Sequence, residues 1–324
     1  MRIREQSCQI LDDYWMEGRI LEQIERCGRV CYKSEDRITE GSASVFIKGI
    51  ISRGHESVLE LAQIVLELRI DAESIIQKFF AVIPRFLRSD RVEKGIYILS
   101  GNPRSFRDLA RDFPGLKVTK AVLRELAAIH PVLFGDLAPR QGWIPQDGIA
   151  VRVIPPSEIA TLSPDLAVRH RTLLVHFITN RAVTHELVRH RVASYLQESQ
   201  RYCRYDDPRF GCAVEFIRPC FYPENTPEFA LWREAMEEAE KRYLKLLETS
   251  SPQAARTVLP NSCKTEIMAH ATLDEWRHIL RLRTSRAADP SMRELMLLLL
   301  PECVSRFPDV FTPVAQAMDT RHGT

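Results

Sequence analysis

The sequence lacks the common nucleotide-binding fingerprints and the patterns of membrane and secreted proteins. Neither GxGxxG nor GxxxxGK[ST] occurs, so neither a Rossmann phosphate loop nor a P-loop is expected. The longest purely aliphatic run covers only residues 297–300, far below the roughly 20 residues that span a bilayer. The first residues mix charges and contain no apolar signal segment. We therefore expect a cytoplasmic protein.

Excess charge, paired cysteines and metal motifs are also missing. The 45 basic and 43 acidic residues leave a net charge of +2, which excludes a surface-wide field that attracts nucleic acid. The eight cysteines form no CxxC pair, so reduced thiols are expected. Cys220 has no neighbouring histidine to activate it, and we interpret it as a packed structural cysteine. His185 and His190 have i, i+5 spacing, whereas a zinc-protease helix needs i, i+4, so no metal site is predicted.

Hydrophobic periodicity predicts a mixture of strands and long helices. Apolar residues alternate along Ile64–Ile70, which is typical of a half-buried strand. Thr226 and Pro227 resemble a helix N-cap and a first-turn proline, and they open a long amphipathic helix. Weaker strands are predicted at 97–99, 172–179 and 213–217, and further helices at 273–282 and 290–304. This mixture predicts an α+β fold in which a mixed or antiparallel sheet packs with long helices.

Arginine is concentrated in one stretch of the chain. Within 29 residues that contain no lysine, six arginines occur, at positions 181, 189, 191, 201, 204 and 209. A guanidinium group binds phosphate through a rigid fork, so this stretch predicts a local anion site. If a helix ends within 183–191, Val183 and Leu187 face the core. Arg189, His190 and Arg191 then fan outward over a following loop.

The segment Arg189–Arg201 reads RHRxxSxxxxSxR and resembles the signature of the flavin-dependent thymidylate synthases. Other segments resemble that family in the right order: 28–32, an HExxxE-like segment at 54–60, ARxxLP at 255–260, and closing helices at 276–283 and 292–294. The matched parts cover roughly 20–70 and 172–306. We predict a single domain over 1–324, with a long insertion at about 71–171 whose role the residues do not indicate.

The resemblance implies the flavin-dependent thymidylate synthase fold and a methyltransferase activity in dTMP biosynthesis. Such enzymes convert dUMP to dTMP with methylenetetrahydrofolate as carbon donor, NADPH as reductant and bound FAD as hydride carrier. They need no cysteine nucleophile. The family forms a homotetramer in which several subunits complete each site. The implied partners are therefore small molecules and further copies of the chain, with no nucleic acid and no membrane.

The resemblance also assigns roles to individual residues. Arg283 is implied to lie against the uracil ring, where a cation that stays charged at any working pH stabilises developing negative charge. The expected FAD contacts are Arg189, His190, Arg191, Gln197 and His278, with Ser57 and His55 near the flavin or folate. The expected dUMP contacts are Glu186, Arg189, Gln197, Glu198, Ser199, Gln200, Arg201 and Arg283, together with Arg256 from another subunit.

Three positions depart from the family pattern. Leu61 replaces the histidine that ends the HExxxEH segment of other members. Thr272 and Asp274 stand where many members have asparagine and arginine that contact FAD, and Asp274 adds negative charge beside a diphosphate. We hypothesise that FAD affinity is reduced, or that His278 or the insertion rebuilds this part of the site.

Several alternatives remain open at the level of sequence. The chain could be a flavoprotein of the same fold that acts on another pyrimidine nucleotide, or a catalytically silent homologue. The arginine stretch could instead form a single-stranded nucleic-acid groove with aromatic stacking platforms, namely Tyr195, Tyr202, Tyr205 and Phe210. Taken alone, Arg256 could merely cap a short helix that begins at Ser251 and Pro252, and Arg283 could be a solvated cation.

Overall fold

The computed structural model describes residues 1–139, 142, 146–201, 203–207 and 212–319. The strands are β1 (Arg2–Arg4), β2 (Ser7–Ile10), β3 (Ile64–Ile70), β4 (Leu87–Glu93), β5 (Ile96–Gly101), β6 (Ile149–Val153), β7 (Thr172–Asn180), β8 (Ala193–Gln197), β9 (Glu215–Ile217) and β10 (Lys264–Thr272). The helices are α1 (Asp13–Met16), α2 (Ile20–Tyr32), α3 (Ser42–Ser52), α4 (Glu73–Phe80), α5 (Pro103–Asp112), α6 (Lys117–Ile129), α7 (Pro131–Phe134), α8 (Pro156–Ile159), α9 (Pro164–His170), α10 (Arg181–Leu187), α11 (Pro227–Leu247), α12 (Pro252–Ala255), α13 (Leu273–Arg283), α14 (Pro290–Arg306) and α15 (Pro308–Asp319). The predicted α+β class is confirmed.

The chain divides into two compact units. The first unit contains residues 1–11, 28–36 and 173–324, and the second contains 12–27 and 37–172. The segment 71–171 lies within the second unit, together with β3 and most of α2. The single domain with an insertion stays a prediction.

The first unit contains a four-stranded sheet in the order β2-β7-β10-β8. Strand β10 pairs antiparallel with β8, so that Ala269 lies opposite Tyr195. Eight consecutive residues of β10 are buried, and they include Lys264 and Glu266. Because an unpaired buried charge is very costly, each of these side chains needs partners close by.

Two helices of the first unit begin at well-defined caps. The Thr226 hydroxyl accepts a hydrogen bond from the Phe229 backbone N–H at 3.3 Å, and a proline occupies the first turn of α11, as the sequence predicts. Helix α13 begins after Thr272. Its Trp276 is fully buried, and the indole Nε1 donates to the Leu173 carbonyl at 2.9 Å. These caps and anchors fix where α11 and α13 start.

The second unit contains an antiparallel sheet in the order β4-β5-β3-β6. The strand predicted at Ile64–Ile70 is confirmed with the same bounds. It is more buried than a half-buried strand, because β3 lies between β5 and β6 and Val65 is only 2% exposed. This burial explains why Val65 breaks the alternation of apolar and polar residues.

Four sequence-based expectations need correction. Helix α10 ends at Leu187 rather than continuing to 191. Residues 193–197 form β8 rather than a loop, and the strand predicted at 213–217 covers only Glu215–Ile217. Cys220 is exposed rather than packed, although all eight cysteines are free thiols. The residues described include no helix that is long and apolar enough to cross a membrane.

Candidate functional site

Helix α10 is short. It begins at a side-chain N-cap, and the chain turns directly after Leu187. The Asn180 side chain accepts a hydrogen bond from the Val183 N–H at 2.9 Å, which caps the first turn. Val183 and Leu187 are buried, as predicted. Beyond Leu187 the chain turns, and the His190 N–H donates to the Leu187 carbonyl at 3.1 Å. The helix and its turn therefore deliver the RHR segment directly to the surface of the first unit.

The three RHR residues do not all point outward as predicted. Arg189 and Arg191 are exposed, whereas His190 between them is only 7% exposed. The turn after α10 places the imidazole inward and leaves the two guanidinium groups in solvent. Two exposed guanidinium groups beside one buried ring form a surface suited to an anionic ligand that carries a planar group.

Arg283 joins α13 to the α10 turn. Its Nε donates to His190 Nε2 at 2.9 Å, and its Nη1 donates to Glu186 Oε2 at 2.7 Å. The structure thus brings Arg283 to Glu186 and His190, which lie 97 and 93 residues earlier in the sequence. Arg283 is not the fully solvated cation of the alternative interpretation, because its side chain is only 17% exposed.

His190 is neutral at physiological pH. Burial, followed by the charges of Arg283 and His278, lowers the pKa of His190 to about 4. Since Nε2 accepts the hydrogen bond from Arg283, the neutral ring must carry its proton on Nδ1. The His278 ring lies edge-on, with ring centroids 6.2 Å apart. The imidazole therefore serves as an uncharged acceptor that orients Arg283.

The end of β8 is fixed by a set of hydrogen bonds around Gln197. Its Nε2 donates to Thr184 Oγ1 and to Thr265 Oγ1, both at 3.1 Å. Its carbonyl accepts from Cys31 Sγ at 3.1 Å, and the Ser199 N–H donates to the Cys31 carbonyl at 3.2 Å. The side chain of Gln197 is therefore held in one orientation, and Cys31 positions the backbone at 197–199.

Glu198 lies in a buried ionic cluster beneath the same segment. Its side chain accepts from Tyr205 Oη at 3.2 Å and from Lys264 Nζ at 2.9 Å. Lys264 also donates to Glu266 at 2.5 Å. Although burial disfavours the ammonium, the two carboxylates raise the pKa of Lys264. Glu198 is thus an internal anchor of the segment in this chain.

Two further basic side chains complete the cluster on the side of Glu266. His176 Nε2 lies 3.0 Å from Glu266 Oε2, and the Lys33 ammonium contacts Glu266 Oε1. Burial disfavours the carboxylate, but the hydrogen bond from His176 and the charges of Lys264 and Lys33 together lower the pKa of Glu266. We call Lys33, His176, Glu198, Lys264 and Glu266 the Lys264 cluster.

Buried polar groups without partners mark the region beside this anchor. Gln200 is 7% exposed, and its Nε2 has no hydrogen-bond partner among the described residues. Arg181 donates through Nη2 to the Glu198 carbonyl at 3.1 Å, while its Nε has no partner in the same part of the chain. Arg201 is exposed, and its N–H donates to Ser199 Oγ at 3.4 Å. Such orphaned donors indicate where an acceptor-rich ligand could bind.

The remaining predicted site residues belong to other elements of the chain. His55 and Ser57 are exposed residues of the second unit, at the start of the 3-10 helix Glu56–Leu61. Arg256 follows α12, where its backbone N–H bonds to the carbonyls of Pro252 and Ala254. It thus occupies the helix-capping position of the alternative interpretation. The ligand roles of these three residues stay predictions.

The two departures near α13 have local roles. Thr272 Oγ1 accepts from the Glu275 N–H at 3.2 Å and caps the helix. Asp274 accepts from Arg277 Nη2 at 2.6 Å, one turn later on the same helix. Acidic residues in a first turn also complement the helix dipole. The negative charge of Asp274 is therefore partly compensated within α13.

Sequence reasoning missed Lys33, His176, Lys264 and Glu266. The available signal was the pair of charges at 264 and 266, which flank a threonine just before an apolar run. A charged pair inside a strand that is otherwise apolar indicates buried ion pairing.

Arg209, Tyr202 and Phe210 lie outside the described residues. Within the part of the chain that the structure describes, no cluster of three or more histidine, cysteine or acidic residues is arranged to bind a metal ion.

Comparison with known proteins identifies a family that this chain resembles. Residues 165–309 match the model of the thymidylate synthase complementing protein family. A flavin-dependent thymidylate synthase of Mycobacteroides abscessus is 33% identical over 170 residues, which cover 45% of this chain and 65% of the relative. One of Pyrococcus furiosus is 33% identical over 128 residues, covering 39% of this chain and 52% of the relative. The chain thus spans less than two thirds of the length of these relatives. The resemblance predicted from the motifs is confirmed.

Proposed function

We propose that the chain, whose residues 165–309 match the model of the thymidylate synthase complementing protein family, is a flavin-dependent thymidylate synthase. It converts dUMP to dTMP with methylenetetrahydrofolate as carbon donor, NADPH as reductant and FAD as cofactor, which makes it a methyltransferase of dTMP biosynthesis. The observation that carries the proposal is the junction of Arg283 with Glu186 and His190. It joins the RHR segment to the closing helix at a single point.

The residues around the RHR turn fit FAD. Arg189 and Arg191 are exposed cations that suit its diphosphate, and His190 with His278 provides ring edges for a planar group. We propose that these four residues and Gln197 hold FAD, with Ser57 and His55 near the flavin or folate. When bound, FAD supplies hydride transfer between NADPH and the one-carbon unit. Asp274, compensated by Arg277, weakens FAD binding only modestly.

Arg283 acts on the pyrimidine by electrostatics. The His190 and Glu186 acceptors fix two of its nitrogens, while Nη2 makes no hydrogen bond to a described residue. That nitrogen is free to meet the uracil ring. Because a guanidinium stays protonated, Arg283 stabilises negative charge on the base and does not remove a proton. Preorganisation by two acceptors means that little reorientation is needed during the reaction.

The segment after β8 forms the proposed dUMP site. Ser199, Gln200 and Arg201 supply hydroxyl, amide and guanidinium donors for phosphate and ribose oxygens, and the unpartnered Nε2 of buried Gln200 supports this assignment. Glu198 and Gln197 hold the segment from below, and Glu186 holds Arg283. An exposed guanidinium suits a dianionic phosphate.

We further propose a homotetramer in which Arg256 of a neighbouring subunit reaches the dUMP phosphate. Its position after α12 leaves the half-buried guanidinium at the surface of its own unit. We also propose a cytoplasmic location, which the eight free thiols support because disulfides are rare in reducing compartments.

Release of tritium from the pyrimidine 5-position tests this function. Purified full-length protein loaded with FAD is given labelled dUMP, dCMP or UMP, with and without methylenetetrahydrofolate and NADPH. We expect release from dUMP that depends on the folate and reductant, with dTMP as product. Release only from dCMP or UMP supports instead a flavoprotein that acts on another pyrimidine nucleotide. Bound FAD without any release identifies a silent homologue.

A further inference from the structure

A cavity in the second unit has no part in the proposed reaction. Its volume is about 190 Å³, and its lining is mainly aliphatic. Trp15, Ile154 and Ile159 are buried at 6%, 5% and 1% exposure and belong to one hydrophobic cluster with Val65. Ile129 at its edge is 46% exposed. The cavity therefore continues the apolar core of this unit to the surface.

The size of the cavity limits its occupant. A cavity of about 150 Å³ with an aliphatic and aromatic lining binds a benzene molecule. The volume of about 190 Å³ here therefore accommodates one six-membered ring with a small substituent. A nucleotide or a folate is much larger than this space.

The charge of the lining limits the occupant further. None of the described residues that line the cavity is an acid, a lysine or an arginine. The only titratable lining group is His130, and burial lowers its pKa, so the ring is neutral at physiological pH. A charged ligand would lose its hydration here without gaining a counter-ion. The part of the occupant that enters the cavity must therefore be uncharged.

Two polar side chains offer a neutral ligand a hydrogen bond. Gln63 is 7% exposed, and its Oε1 has no hydrogen-bond partner among the described residues. A buried carbonyl without a donor is unfavourable, and the terminal amide torsion is soft enough to turn toward a ligand. His130 provides a second neutral donor or acceptor at the same cavity.

We propose that this cavity binds a small uncharged ligand, consisting of one apolar ring or branched chain with a single hydroxyl or similar donor that bonds to Gln63. The site is independent of the proposed thymidylate synthase activity. It differs in chemistry from the arginine-rich site of the first unit, because its selectivity comes from shape and from one amide rather than from charge.

Three probes with the same ring test the proposal on the full-length protein. Ligand-observed NMR titrations are run with cyclohexanol, methylcyclohexane and cyclohexanecarboxylate. We expect saturable binding of cyclohexanol, weaker binding of methylcyclohexane, and at least about tenfold weaker binding of the carboxylate. The absence of saturable cyclohexanol binding overturns the proposal. Equal binding of the carboxylate overturns it as well.

Two substitutions test whether cyclohexanol binds in this cavity. Val153→Phe fills part of the space and should weaken cyclohexanol binding at least about tenfold. Val151→Phe, two residues earlier on β6 and outside the lining, is the matched control and should change binding less than twofold. Equal effects of both variants contradict the location.

Gln63→Met keeps the side-chain length and removes the amide, and it serves equally if Val153→Phe fails to fold. It should weaken cyclohexanol binding several-fold and leave methylcyclohexane binding unchanged. If the preference for cyclohexanol over methylcyclohexane is the same in Gln63→Met, the assigned hydrogen bond is wrong and the proposal fails.

Discussion

Both units bury a cluster of opposite charges, but with different cations. In the first unit, the Lys264 ammonium lies between Glu198 and Glu266. In the second unit, Arg107 is fully buried and forms a bidentate pair with Asp136 at 2.7 and 2.6 Å. The planar guanidinium fork pairs bidentately with the carboxylate of Asp136, whereas the compact Lys264 ammonium acts as a point charge between its two carboxylates.

The second cluster continues through the 3-10 helix of the HExxxE-like segment. Arg107 Nε donates to Glu56 at 3.3 Å, and Arg111 Nη1 donates to the same carboxylate at 2.8 Å. Burial disfavours the carboxylate, but the two arginines lower the pKa of Glu56. We call Glu56, Arg107, Arg111 and Asp136 the Arg107 cluster. It fixes local structure, whereas the Lys264 cluster directly precedes the proposed dUMP segment.

The largest expected effect separates the two clusters. Lys264→Met and Arg107→Met each remove a buried cation from its carboxylate partners, which costs up to about 3–5 kcal/mol of unfolding free energy. Only Lys264→Met should also weaken dUMP binding, because Glu198 then loses its anchor. Urea unfolding and dUMP titration of the flavin spectrum, at a temperature where both variants are folded, measure the two quantities. An equal loss of dUMP affinity in Arg107→Met would remove the distinction.

Removal of the central guanidinium should affect the reaction without affecting the cofactor. Arg283→Ala should lower kcat/KM about 10²–10³-fold, the usual cost of losing one preorganised charge-stabilising group, and it should retain FAD. Arg281→Ala is the matched control, because Arg281 is an exposed residue of the same helix. Its activity should stay within about twofold of the parent. Loss of FAD from Arg283→Ala would contradict the assigned role.

Only part of the fold and of the candidate site could be predicted from the sequence. The strand Ile64–Ile70 and the helix after Thr226 were predictable because periodicity and capping are local signals. Arg283 and the RHR segment were identified by motif, but the contact of Arg283 with Glu186 and His190 required the fold. Strand β10 escaped prediction because Lys264 and Glu266 look like surface residues until their partners are known.

Two buried histidines, one in each unit, should make the stability of the protein depend on pH. Burial is the main cause that lowers the pKa of both His190 and His170 to about 4. The unfolded chain takes up protons near pH 6.5, before the folded one, so stability falls as the pH drops from about 6.5 to 4. Each group contributes up to about 1.4 kcal/mol per pH unit in this window and nothing above it.

Glutamine substitutions test the two histidines. His190→Gln and His170→Gln should each reduce the slope of unfolding free energy between pH 6.5 and 5, measured with urea. Only His190→Gln should also alter FAD or dUMP binding. An unchanged slope in His190→Gln would mean that the ring is already protonated in the folded protein.

The smallest effect concerns the first turn of α13. The Asp274–Arg277 pair is exposed, so Asp274→Arg should change stability by less than about 1 kcal/mol. If the negative charge at 274 opposes the diphosphate, the same substitution should tighten FAD binding about threefold, measured by fluorescence quenching. Asp289→Asn, at the start of α14, is a control for net charge. An unchanged FAD dissociation constant removes the hypothesis about Asp274.

The visible absorption spectrum of the purified protein tests the proposed flavin and dUMP site most directly. It is recorded as purified, after incubation with FAD and desalting, and during titration with dUMP. We predict flavin bands that remain after desalting and shift with saturating dUMP, because Arg283, His190 and the 197–201 segment join the two ligands in one site. A colourless protein that FAD does not load would contradict the proposed function.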